Sequence, residues 1–371
     1  MTHEEYRAAM EDVICLARCA VNEEIPPEER VEGMDLRRLY AAADRHMMTS
    51  ITAMALQSAG VRDEAFVQAE AKAIRKNAAL EAELRRLASR LEQAGIWYMP
   101  LKGAVLKDYY PRFGMRQMSD YDILFDSDCS RDVREIMESM GYTVKDFGKD
   151  HHDLYSKPPM YVIEMHRKLF DLPRNAAYIY YENVKERLIP DEKEPYRFHF
   201  SLEDFYVYML AHEHKHYSAA GTGLRSNLDI YVFWKRFGDT LDRNYIAGEL
   251  EKLSLTEFEQ QSRELAMSLF GGGELTEEAR EILENHLLSG TYGSEEHRVA
   301  YGSRQTGGRL GYALRRLFLS REMIQFHYPL FWRYKVLLPF LPLYRLFRGM
   351  ALDGTRVRSE LRAVFRPGRG K

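Results

Sequence analysis

The stretch LKGAVLKDYYPRFGMRQMSDYDILF, residues 101–125, decides how this chain is interpreted. It opens with a Lys-Gly pair after the apolar run IWYMPL, and it closes with Asp120 and Asp122 running into apolar residues. Alternate residues of a strand share a face, so both carboxylates point the same way, about 6–7 Å apart along the strand. The apolar residues that alternate with them face the opposite side, where we expect a core.

Two like charges on one face repel each other and are costly to bury without a counter-charge. A divalent cation removes that cost, since hard oxygen ligands such as carboxylates suit Mg²⁺. The plain alternative is a strand that begins at a turn, with both aspartates in solvent. A DxD pair is a weak signal on its own, so the choice between a metal site and two solvated aspartates depends on the neighbouring residues.

Three neighbouring features favour the metal interpretation. Gly103 lies at a predicted strand-to-helix turn, where backbone N–H groups can approach a phosphate, and Lys102 adds a positive charge. Arg116 lies just before the aspartates. The run YVIEMH predicts another strand, with Glu164 and His166 on one face. If this strand lies beside DYDILF, Glu164 becomes a third carboxylate, and three carboxylates on adjacent strands can hold two Mg²⁺ ions.

The rest of the chain supplies the architecture. Residues 64–94 predict a long amphipathic helix, and Ser201 is a suitable N-cap for a later helix. Short runs rich in β-branched and aromatic residues lie between these helices. We therefore predict an α+β fold whose small mixed β-sheet core spans residues 95–200. A helical region at 1–94 precedes this core, and a helical domain with a basic, aromatic tail, 201–371, follows it.

Together with VIEMHRKLF further on, the opening stretch resembles the bacterial nucleotidyltransferase-like proteins of the polymerase-β superfamily. Their core has a glycine turn, a helix, an aspartate pair on the next strand and an acidic residue on a later strand. In the most similar subfamily, Lys-Gly replaces the usual Gly-Ser. The resemblance implies that Asp120, Asp122 and Glu164 are the catalytic metal ligands, and that Lys102 and Gly103 form the phosphate-binding turn.

The segment AHEHKHYSAAGTGLRSNLDIYVF resembles that subfamily's helix with a His-rich motif, an Arg and a later Asp. The resemblance implies nucleotide or substrate contacts from this helix, while a simple salt bridge remains the alternative for Arg225 and Asp229, which are four residues apart. The predicted nucleotide-binding residues are Lys102, Gly103, Arg116, Ser119, His166, His212, His216, Arg225 and Asp229.

The resemblance implies a nucleotidyltransferase that uses Mg²⁺ or Mn²⁺ and moves a nucleoside monophosphate from an NTP to an acceptor hydroxyl, releasing pyrophosphate. The sequence departs from the superfamily at Ala104, which stands where a phosphate-contacting serine is usual. In addition, 17 positions separate Gly103 from Asp120. A degenerate, NTP-binding regulatory or interaction module is therefore an alternative, because a shared fold does not guarantee chemistry.

Two other enzyme classes share local motifs with this chain. HEHKH, residues 212–216, matches the H-E-x-x-H signature of zinc peptidases, but no convincing third ligand follows it. A DxD pair also marks glycosyltransferases, but these would place a nucleotide-sugar-binding βαβ domain upstream, where this sequence predicts helices.

Composition limits the partners and the compartment. The formal net charge is −3, which gives no general attraction to nucleic acid, although the basic tail leaves nucleic-acid or membrane-surface contact open. For that tail we expect a packed terminal helix with arginines at its rim. The three cysteines do not form a disulfide framework, and no apolar run predicts a membrane span, so a cytoplasmic protein is expected.

Overall fold

The computed structural model describes residues 1–148, 150–171, 176–219, 221–290, 299, 302–303, 306–351 and 354. Helices precede the first strand and follow the last one, and a mixed sheet lies between them. The N-terminal helices are α1 (His3–Asn22), α2 (Glu28–Glu32), α3 (Leu36–Arg45), α4 (Thr49–Ser58) and α5 (Glu64–Gln93). The central elements are β1 (Tyr98–Pro100), α6 (Gly103–Leu106), β2 (Tyr121–Phe125), α7 (Ser130–Ser139), β3 (Thr143–Asp146), β4 (His152–Lys157), β5 (Tyr161–His166), α8 (Ala176–Tyr180), β6 (Ile189–Pro190) and β7 (Phe198–His199).

The C-terminal helices are α9 (Leu202–Ala219), α10 (Leu224–Phe237), α11 (Arg243–Lys252), α12 (Thr256–Gly271), α13 (Glu277–Ser289), α14 (Arg309–Leu317), α15 (Arg321–His327) and α16 (Pro329–Arg333). The predicted caps are present at two of the longest helices. The Ser201 hydroxyl accepts a hydrogen bond from the Asp204 N–H at 3.0 Å, and Gly95, just beyond α5, has a φ of +69°.

The main sheet has the strand order β1-β2-β5-β4-β3. Strands β2 and β5 are parallel, whereas the other neighbouring pairs are antiparallel. All five strands coincide with short runs, rich in β-branched and aromatic residues, that the sequence predicts to be strands. The α+β prediction, a mixed sheet with helices on both sides in sequence, is therefore confirmed.

Strand β2 lies between two apolar cores, and all five of its residues are buried. On one face of β2, Tyr121, Ile123 and Phe125 pack into an apolar core with residues of α5 and α7. Leu124 points the other way, into a second core that contains residues of the C-terminal helices. The alternation of β2 thus directs Asp122, which shares the face of Leu124, towards the helices that follow the sheet.

The second core joins the two helical regions at the ends of the chain. It contains buried residues of α1, α3 and α4 together with residues of α9, α10 and α12. The side chain of Asn22 connects them directly, because its Nδ2 donates to the Phe270 carbonyl at 2.8 Å and its Oδ1 accepts from the Tyr231 hydroxyl at 2.7 Å. The division at residues 94 and 200 stays a prediction.

The expectation of a packed terminal helix is wrong for the described part of the tail. Neither apolar core contains a residue from 309–351. Large apolar side chains there are exposed, including Val336 at 78% and Phe347 at 66%. Pro339 lies inside the 3₁₀ segment Lys335–Phe340, and residues 341–351 are helical. Leu341 is buried in this helical stretch, but its other large apolar side chains are exposed. The polar, glycine-rich composition of residues 289–308 predicts a loop, but most of this stretch lies outside the described residues.

Among the described residues, no helix combines the length and the apolar character that crossing a bilayer requires.

Candidate active site

The parallel register of β2 and β5 builds the centre of the site. It pairs Asp122 with Glu164 and Leu124 with His166, so the two acids and the histidine lie on one face. His166 Nε2 is 2.9 Å from Asp122 Oδ1 and 3.5 Å from Glu164 Oε2. One ligand atom from each of the three residues lies within 4.8 Å of the other two, which is the spacing a metal ion requires. The predicted pairing of the two strands is therefore present.

Asp120 lies just before β2 and is oriented by its neighbour Ser119. The Ser119 hydroxyl donates to Asp120 Oδ1 at 2.7 Å, and the Ser119 carbonyl accepts from Lys76 Nζ at 2.7 Å. Burial and the nearby charge of Asp122 raise the pKa of the Asp120 carboxyl above its ordinary value, with a smaller contribution from Glu164. Asp120 thus adjoins the cluster of Asp122, Glu164 and His166 but lies outside the set of mutually close ligand atoms.

Lys102 places a lysine charge directly on Asp122. Its Nζ lies 3.2 Å from Asp122 Oδ1. Burial alone would raise the pKa of Asp122, but Lys102 and His166 outweigh it and hold that pKa well below its ordinary value. The Lys102 backbone has a φ of +44°, a region that residues with a Cβ rarely adopt. Such strain is typical of positions that hold a functional group in place.

Gly103 begins α6 and is required by a close approach from Arg116. A Cβ at position 103 would lie 2.5 Å from Arg116 Nη1 and 3.0 Å from Met118 Cε. Helix α6 has only four residues, so the predicted helix AVLKDYY is much shorter than expected and continues as a 3₁₀ turn, Lys107–Tyr109. Its dipole is small, and the positive charge at the turn comes mainly from Lys102.

Arg116 makes a buried ion pair with Asp229 of α10. Its Nε and Nη2 donate to the two Asp229 oxygens at 2.7 and 2.8 Å, and the Tyr110 hydroxyl donates to Oδ1 at 2.7 Å. Asp229 therefore does not serve mainly as the helix partner of Arg225, as the simple salt-bridge alternative assumed. Arg225 Nη1 instead donates to the Gln117 carbonyl at 3.1 Å. Both arginines thus fix the segment that leads into β2. A direct phosphate contact from either stays a prediction.

His212 and His216 lie on the face of α9 that approaches the carboxylates. Their Nε2 atoms are 3.0 Å apart. Burial, followed by the positive charge of Lys102, lowers the pKa of His212 well below its ordinary value, and burial and Lys102 lower the pKa of His216 to about 4. By solvent accessibility the His216 residue is exposed and His212 is half-buried, so both rings lie at the edge of the site where a substrate can reach them. The pair is neutral at pH 7 and offers ring N–H and N groups to a polar, uncharged substrate group.

The zinc-peptidase alternative lacks its other parts in the described portion of the chain. No acidic residue, histidine or cysteine there completes a three-residue metal group with His212 and His216. Glu213, the base that this alternative requires, is 5% exposed and lies near Ser226 and Asp229 of α10. The glycosyltransferase alternative also loses support, because residues 1–97 contain helices and no strand.

Sequence reasoning missed three residues beside the cluster. His152 pairs with His166 across the antiparallel β4–β5 register, and its Nε2 lies 3.8 Å from Glu164 Oε2. The His151 and His152 rings are centred 4.5 Å apart. The Tyr208 hydroxyl of α9 is buried, and its pKa is raised by burial and by Asp122. The signal for the two histidines was their place at the start of HHDLYS, one of the short runs that predict strands.

Residues 32–271 match the family described as "Uncharacterised nucleotidyltransferase". The match covers more than half of the chain, so the chain belongs to this family of nucleotidyltransferases. The resemblance stated from the sequence to a nucleotidyltransferase-like family is therefore confirmed. The chain has no significant match among the curated proteins and none among the solved structures.

Proposed function

We propose that this protein transfers a nucleoside monophosphate from an NTP to an acceptor hydroxyl and releases pyrophosphate. The observation that carries the proposal is the register that sets Asp122 beside Glu164, with Lys102 on the same carboxylate. Membership of a nucleotidyltransferase family supports it. The NTP and the acceptor are the expected partners, and a bacterial, cytoplasmic setting stays a prediction.

Asp122 and Glu164 would hold a divalent cation, for which Mg²⁺ or Mn²⁺ is expected, and Asp120 lies beside this pair. When bound, such an ion neutralises triphosphate oxygens and orients the α-phosphate for in-line attack. Lys102 lies beside Asp122 and is placed to pair with a phosphate oxygen once the ion shares that carboxylate. Arg116 packs against Gly103, and Arg225 binds the Gln117 carbonyl, so the two arginines would hold the Gly103 turn and the segment before β2 in position.

The chemistry assigned to the chain is one displacement. The acceptor oxygen bonds to the α-phosphorus, the bond from that phosphorus to the bridging oxygen breaks, and pyrophosphate leaves with the electron pair. The hydroxyl proton passes to a carboxylate that adjoins the cluster. Asp120 is suited to receive it, because burial and the negative charge of Asp122 raise its pKa and so strengthen it as a base. His212 and His216 border the space opposite the acids and would contact the nucleoside or the acceptor.

The test is pyrophosphate release by the purified full-length protein, measured with each of the four NTPs in Mg²⁺ and then in Mn²⁺. Asp122→Asn is expected to lower turnover at least 100-fold, because it removes a negative ligand at the centre of the cluster. Asp128→Asn is the matched control, since Asp128 is exposed just beyond β2, and it should retain wild-type turnover. Equal turnover of the Asp122 variant and wild type would contradict the assignment.

A degenerate NTP-binding module is the second candidate, and Ala104 favours it. Ala104 is 7% exposed and has no hydroxyl to offer a phosphate. Under this alternative, calorimetry detects binding of a non-hydrolysable NTP in the presence of a divalent ion, while pyrophosphate release stays at background in every condition. That pair of results would reject the transferase proposal and support the binding module.

A further inference from the structure

The group of mutually close ligand atoms in this site is not the all-oxygen set that Mg²⁺ favours. It contains two carboxylates, Asp122 and Glu164, and one imidazole, His166. Asp120, which would complete three carboxylates, lies outside the group. Mg²⁺ demands hard oxygen ligands, whereas imidazole suits borderline transition metals. The imidazole in this group therefore favours a transition-metal ion over Mg²⁺.

The distances fit joint coordination of one ion. Neighbouring ligands of an octahedral ion with bonds of about 2.1 Å lie about 3.0 Å apart. His166 Nε2 and Asp122 Oδ1 are 2.9 Å apart, and His166 Nε2 and Glu164 Oε2 are 3.5 Å apart. Small side-chain rotations suffice to direct all three atoms at one point, because the backbones are fixed by the β2–β5 pairing.

The surroundings add a second imidazole and an unsatisfied buried group. His152 Nε2 lies 3.8 Å from Glu164 Oε2, and its backbone pairs with that of His166. His166 is 2% exposed, and its Nδ1 has no hydrogen-bond partner within the described parts of the chain. The Tyr208 hydroxyl, which faces the same two acids, is likewise buried without a partner there. His166 and Tyr208 are buried, whereas the His152 side chain is 24% exposed. The two unsatisfied polar atoms, His166 Nδ1 and the Tyr208 hydroxyl, therefore lie on the protein side of the cluster, and His152 lies on its solvent side.

We propose that Asp122, Glu164 and His166 form a mixed carboxylate–imidazole site for a divalent transition-metal ion such as Mn²⁺, in preference to Mg²⁺. The inference rests on the proposed function only in that the ion would serve the same reaction. His166 is the residue that sets the preference, and His152 is placed to assist it. Asp120 remains free to act on the acceptor hydroxyl.

The test measures metal binding without nucleotide. The full-length protein is stripped of metal and titrated with Mn²⁺ and with Mg²⁺ by calorimetry. Mn²⁺ is expected to bind at least tenfold more tightly, and His166→Gln should reduce that ratio at least fivefold, because the amide keeps the polar contacts but is a poor substitute for imidazole nitrogen. His199→Gln is the control, since His199 is exposed in β7, and it should leave both affinities unchanged.

A spectroscopic measurement on the wild-type protein makes the test independent of how the variants fold. Pulsed electron paramagnetic resonance of bound Mn²⁺ detects the ¹⁴N nucleus of a coordinated imidazole. Its modulation is expected in wild type and lost in His166→Gln. If His166 is instead an imidazolium that bridges the two acids, the modulation is absent, and the proposal is overturned. Nitrogen coordination without pyrophosphate release would uphold this inference while rejecting the proposed function.

Discussion

The buried contact between Gly103 and Arg116 shows how one residue type can be dictated by a distant partner. Arg116 lies against the bare α-carbon of Gly103 while both of its other nitrogens bind Asp229. A side chain at position 103 would have to displace a guanidinium that is held by two hydrogen bonds. Phosphate binding is therefore only one of two reasons for a glycine at this turn.

Gly103→Ala is expected to lower the free energy of unfolding by about 1–3 kcal/mol, because the new Cβ overlaps Arg116 Nη1. Urea denaturation measures the change. Gly248→Ala in α11 is the matched control, since a Cβ there meets nothing within 4 Å, and it should stabilise the helix by up to about 1 kcal/mol. Equal effects of the two substitutions would show that Arg116 moves aside freely.

Glu213 carries a stability cost that depends on pH. Burial raises the pKa of this carboxyl to about 8, so the folded protein binds the proton more tightly than the unfolded chain, whose value is near 4.5. The contribution of Glu213 to stability is therefore greatest below pH 4.5, and it is lost as the pH rises through 8.

Between pH 6 and pH 9, wild type is expected to lose about 2–3 kcal/mol more unfolding free energy than Glu213→Gln, whose side chain cannot ionise. Urea midpoints at the two pH values give the comparison. Parallel pH dependence in the two proteins would mean that Glu213 is ionised in the fold at neutral pH.

At the scale of elements, local sequence patterns predicted which segments form strands and helices, but not which charged side chains pair across them. Arg225 and Asp229 have the spacing of a helix salt bridge, and that spacing is visible in the sequence. The strongest partner of Asp229, Arg116, lies 113 residues earlier, and only the packing of α10 against the β2 entry brings them together. Long-range partners of this kind leave no periodic signal.

The residues of the candidate site likewise divide into those that strand patterns predict and those that depend on longer-range packing. Asp122 and Glu164 were predictable, because alternation fixes the face of each strand and only one assumption, that β2 neighbours β5, was needed. His152 required in addition the hairpin register of β4 and β5, which a one-residue shift would reverse. The exclusion of Asp120 from the ligand group depends on side-chain orientation at the strand entry, which no sequence pattern encodes.

Asp229→Asn tests the link between α10 and the β2 entry. We expect a loss of about 3 kcal/mol in the free energy of unfolding, because Arg116 is 7% exposed and would stay buried without its counter-charge. Asp239→Asn serves as control, since Asp239 is exposed beyond the end of α10 and should change stability by less than about 0.5 kcal/mol. A loss of similar size in both variants would argue against a specific ion pair.

At the scale of the whole molecule, His46 connects three regions of the chain. Its Nδ1 accepts the Leu224 N–H at 3.1 Å, and its Nε2 lies 2.8 Å from the Tyr6 hydroxyl, which donates to the Leu287 carbonyl at 3.0 Å. Burial lowers the pKa of His46 to about 3. The unfolded chain therefore binds a proton that the fold excludes, and stability falls as the pH drops below about 6.5.

Between pH 7 and pH 5, we expect protonation of His46 in the unfolded chain to lower the free energy of unfolding by about 2 kcal/mol. His46→Gln removes this component, so its urea midpoint should fall less than that of wild type over the same interval. His199→Gln, which alters an exposed ring, should follow the wild-type profile. If His46→Gln shows wild-type acid sensitivity, another buried group controls the transition.

Helix α1 lies before residue 32, where the family similarity begins, yet Met10, Val13, Leu16 and Ala17 are completely enclosed. A recombinant fragment trimmed to residues 32–271 would open the hydrophobic interior along the whole length of the missing helix and expose α12 and α4 to water. Such a fragment should be recovered as aggregate, and the segment ahead of the family-matched region would have to be kept in any smaller version made for crystallisation or assay.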